Sequence, residues 1–486
     1  MNKLFYGDNL DIFRQNKISR ETVDLCYIDP PFNSKRNYNQ IYNNIGSEDR
    51  AQAQAFIDTW VWDDRANAGY DEILANSEGR FQAQLVELIK GLHGVLREGS
   101  LLAYLVSMAL RITEIHRVLK RTGTFYLHCD PTASHYLKLV ADATFTGNFR
   151  NEIVWCYAGG GIPKRDFPRK HDILLRYTKS SECIFNPIYR PYTPGTIQRG
   201  RTPIKGKYFE EGLRKEGTPI NDWWIDVPKI TSPTDPEKLG YPTQKPEALL
   251  DRIIRVSSND GDTVLDSYCG CGTTIVIAQQ LKRKWIGMDI TYQSISLVLR
   301  RLEGTFGAEV LRRVRTDGIP RDMDSARALA HREDDRLRKE FEKWAVLTYT
   351  NNRAIINEKR GADAGIDARA YFKTGKLDNA KIIFQVKSGG VDRGDIATLR
   401  GDMQREEAVL AVLITLEEPT RPMINEAKVA GQYKHEDMGR SYDRISIVKV
   451  QDIVEENKRL EIPMSLEVLR AAQREIEEKQ ITLLEE

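Results

Sequence analysis

Four residues carry the sharpest chemical signal in the chain: Asp29, Pro30, Pro31 and Phe32, which follow the apolar run Thr22 to Ile28. An exocyclic amine on a nucleobase is a weak nucleophile, because its lone pair is delocalised into the ring. A carboxylate and a backbone carbonyl that accept its hydrogens favour the tetrahedral amine and take up the proton released as a new bond forms. Asp29 and the Pro30 carbonyl suit that task. The two prolines stiffen the backbone, and Phe32 offers a face on which an extruded base can stack. The plainer reading is a proline turn with the aspartate as a local cap.

A second constellation bears on that choice. Asp266 to Thr274 (DSYCGCGTT) places Cys269, Gly270, Gly272 and Thr273 in a glycine turn, and Asp289 ends the next apolar run. Glycines let a backbone approach a nucleoside closely, and an acid on the following strand can accept from ribose hydroxyls. The spacing Gly-x-Gly lacks the third glycine of the dinucleotide fingerprint, so it favours a ligand without a pyrophosphate over a nicotinamide cofactor. Further on, Asp367 precedes Gln385 and Lys387 on what reads as neighbouring short strands. A divalent metal such as Mg2+, held by Asp367, a backbone carbonyl and a helix glutamate such as Glu340 or Glu342, would activate water for phosphodiester cleavage, with Lys387 orienting it. Gln385 in place of an acidic ligand lowers the negative charge of the site. A folded module that binds DNA without cutting it is the alternative.

These residues need strands and helices to hold them. Thr22 to Ile28 is rich in β-branched and apolar residues and stops at the prolines, as a buried strand feeding a loop does. Helical spacing recurs over Gln84 to Leu96 and Ser107 to Leu119, followed by a strand over Thr124 to His128. Lys245 to Ser257 reads as a helix, Thr263 to Leu265 as a strand, the glycine turn as the start of a helix running to about Leu281, and Trp285 to Met288 as a strand. Such alternation predicts an α/β fold with a mostly parallel sheet. Asn186 to Tyr241, with many Pro, Gly, Arg and Lys and the pair Trp223 and Trp224, has no sustained period and reads as an irregular insert. A second alternation begins near Asp324: a helical pattern over Ser325 to Tyr349, strands over Lys381 to Lys387, Val409 to Thr415 and Ile445 to Val450, and an exposed helix over Leu466 to Glu486.

In order along the chain, GDNL (Gly7 to Leu10), YIDPPFNS (Tyr27 to Ser34), YLHCD (Tyr126 to Asp130), YPTQKP (Tyr241 to Pro246), LDSYCGCGTT (Leu265 to Thr274) and WIGMDI (Trp285 to Ile290) closely resemble the β-class amino-methyltransferases of DNA. In that class the catalytic motif precedes the target-recognition region and the cofactor motif follows it, as here. The resemblance covers about residues 1 to 320. It implies a Rossmann-like methyltransferase using S-adenosyl-L-methionine, with Asp29, Pro30, Pro31 and Phe32 at the target base. It places Cys269, Gly270 and Gly272 near the methionine part of the cofactor, Asp289 on its ribose, Asp8 near its adenine, and Thr243 and Lys245 in the same pocket, with Asp266 and Thr273 of the turn also binding the cofactor. A DPPF tetrapeptide implies adenine N6 as the target, whereas SPP relatives usually modify the amino nitrogen of cytosine, so cytosine N4 is the alternative. Ser267 stands where many relatives carry proline and Tyr268 where phenylalanine is common; neither removes a catalytic group. The pattern D-x(17)-QxK from Asp367 to Lys387 resembles the PD-(D/E)XK restriction-endonuclease-like superfamily.

The implied organisation is a catalytic domain over 1–185 and 241–320, a target-recognition insert over 186–240, a restriction-endonuclease-like α/β domain over 324–455 and a helical tail over 456–486. At 486 residues several domains are expected. The formal net charge is only +2, so double-stranded DNA must be met by local patches: the loop Asn33 to Trp62, and Arg190, Arg199, Arg201, Lys205 and Lys207 of the insert. No run of about 18 apolar residues occurs and the first residues lack a secretion pattern, so no membrane partner and a cytoplasmic location are expected. The six cysteines show no CxxC spacing and read as reduced thiols. By analogy with the class, a homodimer and a restriction or motor subunit are the candidate protein partners. The competing functions are a modification enzyme, a bifunctional restriction-modification enzyme, and a non-catalytic DNA-binding subunit, which the intact DPPF, the glycine turn and Asp289 disfavour.

Overall fold

The computed structural model describes residues 2–31, 60–158, 163–200, 214–230, 235–239, 241, 243–331, 335–357, 365–374, 379–435 and 439–462. Phe32, Arg201, Lys205, Lys207, most of the loop before Trp62 and the tail helix expected over Leu466 to Glu486 lie outside these residues.

Among the described residues eleven strands precede residue 320: β1 (Asn2–Tyr6), β2 (Val23–Ile28), β3 (Leu119–Cys129), β4 (Phe149–Cys156), β5 (His171–Thr178), β6 (Tyr189–Arg190), β7 (Thr218–Pro219), β8 (Trp223–Trp224), β9 (Thr263–Asp266), β10 (Lys284–Asp289) and β11 (Val314–Asp317). Nine of them form one sheet in the order β11-β1-β10-β9-β2-β3-β5-β4-β8. From β11 through β3 every pairing is parallel, whereas β5 runs antiparallel to both β3 and β4. The mostly parallel α/β sheet expected from the sequence is therefore present. Every residue of β2 is buried, as a strand covered on both faces requires. That includes Asp24, whose carboxylate accepts from Lys120 Nζ at 2.8 and 2.9 Å and from the Thr263 amide at 2.9 Å.

The parallel arrangement brings the ends of β1, β2, β9 and β10 to one edge. Gly7 and Asp8, Asp29, Asp266 and Asp289 all stand there, outside or at the carboxyl ends of their strands, where open α/β sheets bind ligands. The helix Ser100–Val118 starts about two turns earlier than its periodicity suggests, and its buried side chains back β2 and β3.

Seven strands follow among the described residues: β12 (Ile355–Ile356), β13 (Ala368–Lys373), β14 (Asn379–Lys387), β15 (Leu410–Thr415), β16 (Gln432–His435), β17 (Arg440–Asp443) and β18 (Ile445–Lys449). Five form a mixed sheet, β12-β13-β14-β15-β18, antiparallel at the β12 side and parallel from β14 to β18. The helical pattern over Ser325 to Tyr349 is two helices, Met323–Ala330 and Asp335–Tyr349. A reciprocal cap between Asp322 and Ser325 starts the first. The second packs on the helix Tyr292–Phe306, so that Phe341 and Trp344 share one hydrophobic core with Ile295, Val298 and Leu302. No described helix is long and apolar enough to cross a membrane.

Candidate active site

At the carboxyl edge of the large sheet lies a cavity of about 1310 Å³ whose walls include Asp29, Pro30, Pro31, Gly270 and Asp289. Asp8, Thr243, Lys245, Asp266, Cys269 and Thr273 also line it, so nearly all the residues expected around a nucleoside cofactor and a target base meet in one space.

Asp29 leaves β2 with its two oxygens in different situations. Oδ2 accepts from Lys245 Nζ at 2.5 Å, both side chains being largely enclosed. Oδ1 is buried without a hydrogen-bond partner among the described residues. A buried acceptor left unmatched costs roughly 1–3 kcal/mol, so this oxygen, on a cavity wall, is suited to accept from a donor on a ligand. Lys245, placed by resemblance in the cofactor pocket, thus contacts the carboxylate that the resemblance sets at the target base.

The glycine turn is built for close approach. Gly270 adopts φ +48° and Gly272 φ +78°, both in the left-handed region. A Cβ on Gly270 would lie 3.2 Å from the Tyr241 ring, and one on Gly272 2.7 Å from Val298 Cγ2. Gly272 does not line the cavity: it is the N-cap of the helix Thr273–Gln280 and lets that helix pack on Val298, a support for the turn. The turn is pinned to β10 by the Gly270 amide, which donates to Asp289 Oδ2 at 2.9 Å, and by the Cys269 amide, which donates to the Met288 carbonyl. The other oxygen of Asp289 accepts from the Thr291 amide and hydroxyl at 2.9 and 3.0 Å. Burial raises the Asp289 carboxyl above its ordinary value despite these donors. Burial likewise pushes Asp266 up to about 7, with Asp29 and Asp289 adding to the effect.

Asp8 caps the helix Asn9–Arg14 by accepting from the Leu10 amide, and Arg111 grips its carboxylate with Nη2 at 2.9 and 3.0 Å. Arg111 Nε also donates to Asn9 Oδ1 at 2.6 Å, and Asn9 Nδ2 donates to the Ser267 carbonyl at 2.7 Å, tying the first helix to the turn. Sequence reasoning missed Arg111 and Asn9; GDNL flagged Asn9 only as part of a motif, and nothing local marked Arg111. In the insert, Arg190 is exposed and its guanidinium lies over the Trp223 ring at 5.7 Å.

In the second sheet Asp367 sits against the QxK strand: its amide donates to the Phe384 carbonyl at 2.9 Å and its Oδ2 accepts from the Val386 amide at 2.7 Å. Burial pushes its carboxyl up to about 6 against the opposing charges of Lys339 and Lys387. Gln385 is buried, and its Oε1 has no partner among the described residues; Lys387 pairs with Asp395 at 3.2 Å. Glu340 does not join this group. It is buried with Oε2 accepting from the Tyr292 amide at 2.6 Å and Oε1 from Lys343 at 2.9 Å, so its helix face points to the larger domain. Among the described residues no three His, Cys, Asp or Glu side chains cluster to hold a metal.

The restriction endonuclease family model matches residues 338–454, and the DNA methylase family model matches residues 23–300. The DNA adenine methyltransferase YhdJ of Escherichia coli K12 is 28% identical over 322 residues, covering 64% of this chain and 87% of that protein. The type II methyltransferase M.HpaI of Haemophilus parainfluenzae is 31% identical over 196 residues, which is 40% of this chain and 58% of the relative. Solved structures overlay loosely: the cytosine-N4-specific PvuII DNA methyltransferase gives a TM-score of 0.38 at 12% identity over 64% of this chain and 91% of that chain, too loose an overlay to bear on chemistry. With the methylase match spanning more than half of its residues, this chain belongs to the DNA methylase family.

Proposed function

We propose that the chain transfers a methyl group from S-adenosylmethionine to the exocyclic N6 amine of an adenine flipped out of double-stranded DNA. The observation that carries the reading is Asp29: one carboxylate oxygen is anchored by Lys245, while the other is buried and unmatched among the described residues on the wall of the cavity that also holds the Gly270 turn and Asp289. When bound, the cofactor supplies a methyl group made electrophilic by its sulfonium. Asp29 Oδ1 and the Pro30 carbonyl accept the two amine hydrogens, which directs the nitrogen lone pair away from the ring, and Asp29 is placed to take the proton that leaves. Cys269, Gly270, Thr273 and Asp266 face the methionine end, Asp289 the ribose, Asp8 and Thr243 the rest of the nucleoside. Phe32 would stack on the base. The DPPF tetrapeptide and the adenine specificity named for YhdJ favour adenine over cytosine N4.

A second reading adds cleavage. Asp367 and Gln385 Oε1 offer two enclosed oxygens suited to a hard cation such as Mg2+, with Lys387 two residues beyond Gln385 on the same strand, and the restriction endonuclease match covers them. The chain would then act in restriction-modification, as a homodimer or with a restriction or motor subunit. Labelled S-adenosylmethionine and unmethylated genomic DNA, incubated with wild type and Asp29→Ala and analysed as nucleosides, test the first reading; a magnesium lane on a gel tests the second. N6-methyladenine from wild type alone supports transfer to adenine, methylcytosine overturns the base, and intact DNA in magnesium overturns cleavage.

A further inference from the structure

The connection between β4 and β5 leaves the sheet on the same side as Asp29. Cys129 at the end of β3 pairs with Ile173 near the start of β5, and Cys156 at the end of β4 pairs with His171, so both roots of the connection stand at the carboxyl edge of β2 and β3. The neck is closed by the Tyr157 amide donating to the Lys170 carbonyl at 2.9 Å. A buried chain then ties it to the catalytic strand. Tyr27 OH and His128 Nδ1 are 2.9 Å apart, His128 Nε2 and Asp172 Oδ2 are 3.2 Å apart, and Tyr157 OH donates to Asp172 Oδ1 at 3.0 Å. Burial pushes the Asp172 carboxyl up, but the contacts with His128 prevail and hold it well below the usual carboxylate range. Tyr27 itself lines the cavity.

On this firm neck residues 163–170 present an unusual combination. Phe167 is 94% exposed, between Asp166 and Pro168, and Lys164, Arg165, Arg169 and Lys170 lie within three residues of it in the chain. An apolar ring held in water amid cations matches what a duplex offers on opening, phosphates for the charges and a gap in the base stack for the ring. The three residues from the neck to Phe167 span at most about 10 Å, enough to cross a groove about 8 Å deep. We propose that this loop is a DNA wedge, in which Phe167 fills the space vacated by the target base while Lys164, Arg165 and Arg169 hold the flanking phosphates. The inference rests on the reading of the cavity as a base-flipping methylation site.

The test uses full-length protein and the site that wild type methylates, mapped on genomic DNA and rebuilt in two oligonucleotide duplexes, one fully matched and one abasic opposite the target base. Phe167→Ala should lower kcat/KM at least about tenfold on the matched duplex and less than about threefold on the abasic one, where extrusion breaks no pair; Phe167→Trp should recover the matched rate. Lys164→Ala with Arg165→Ala should make the logarithmic dependence of binding on salt shallower by about 2. Equal impairment of Phe167→Ala on both duplexes, or none on either, overturns the wedge while leaving methylation intact. Absence of transfer by wild type overturns the methylation reading and the wedge with it.

Discussion

Replacing Asp266 by asparagine should stabilise the protein far more at pH 8 than at pH 5. The carboxyl is buried at the end of β9, where Oδ1 accepts from the Tyr268 amide at 3.0 Å and Oδ2 from the Thr274 hydroxyl at 2.6 Å. Burial, reinforced by Asp29 and Asp289, raises its pKa from 3.8 to about 7. The folded protein therefore keeps a proton that the unfolded chain has already lost, so stability falls as the pH rises from about 4 to about 7 and levels off above. At about 1.4 kcal/mol per unit the full penalty is about 4 kcal/mol, of which about 2–3 kcal/mol develops between pH 5 and pH 8. Asparagine is never charged, and it fits, because the Thr274 hydroxyl can turn to accept from its amide while the Tyr268 amide keeps an acceptor. Urea denaturation of wild type and Asp266→Asn at the two pH values reads the difference directly. A variant whose advantage over wild type is the same at both would show that Asp266 titrates at its ordinary value and that the enclosure of the cavity floor has been misjudged. The same titration should weaken binding of a sulfonium ligand by up to about tenfold from pH 8 to pH 6, since protonation removes a negative charge from the cavity wall; Asp266→Asn should flatten that slope.

Gly272→Ala would set a Cβ 2.7 Å from Val298 Cγ2 at φ +78°. Left-handed backbone and overpacking together should cost about 2–4 kcal/mol. Val298→Ala in the same chain should restore part of the thermal stability, whereas a full loss in both variants would place the strain elsewhere. Asp367→Asn and Lys387→Ala should each abolish magnesium-dependent cleavage while leaving methyl transfer unchanged, and a gel of treated DNA alongside nucleoside analysis separates the two; cleavage that survives both substitutions would move the nuclease centre off β14.

The chemistry of the site was legible where it is local. DPPF and the CGCG turn each need only a strand end and a few residues whose backbone is constrained by proline or freed by glycine, so type and spacing sufficed. What was not legible depends on strand order. Lys245 reaches Asp29 across 216 positions, and Arg111 reaches Asp8 across 103, because β9 lies beside β2 and the helix Ser100–Val118 crosses the start of the chain. Neither strand of the antiparallel pair alternates cleanly, β4 because it is only partly covered and mixed in polarity and β5 because it is buried on both faces from Ile173 to Thr178 with Arg176 among its apolar residues, and with the pair went the Tyr27, His128 and Asp172 chain. Gly272 was grouped with the ligand because a motif does not say which of its glycines faces the cavity and which faces the supporting helix.

Glu340 shows the same limit on the other side of the molecule and yields a sharper test. The sequence offers it as a helix glutamate for a metal beside the QxK strand, yet the helix Asp335–Tyr349 turns that face to the larger domain, where Glu340 receives the backbone amide of Tyr292, the first residue of the helix Tyr292–Phe306. That helix starts directly after Asp289 and Thr291, and the Tyr292 ring meets Tyr6, which lines the cavity, edge to face at 5.7 Å. A helix N-terminus favours a carboxylate, and removing one partner from a buried charged contact costs about 3–5 kcal/mol. Glu340→Ala should therefore lower the melting temperature clearly, while Glu340→Gln, which still offers the Tyr292 amide an acceptor, should recover much of the loss. If the alanine variant melts with wild type, the contact contributes nothing and the two halves are joined by their shared apolar core alone. If it melts early and also loosens S-adenosylmethionine binding, a helix of the restriction-endonuclease-like half is part of what holds the methyl-donor cavity in shape, and the larger domain cannot be excised without remaking that wall.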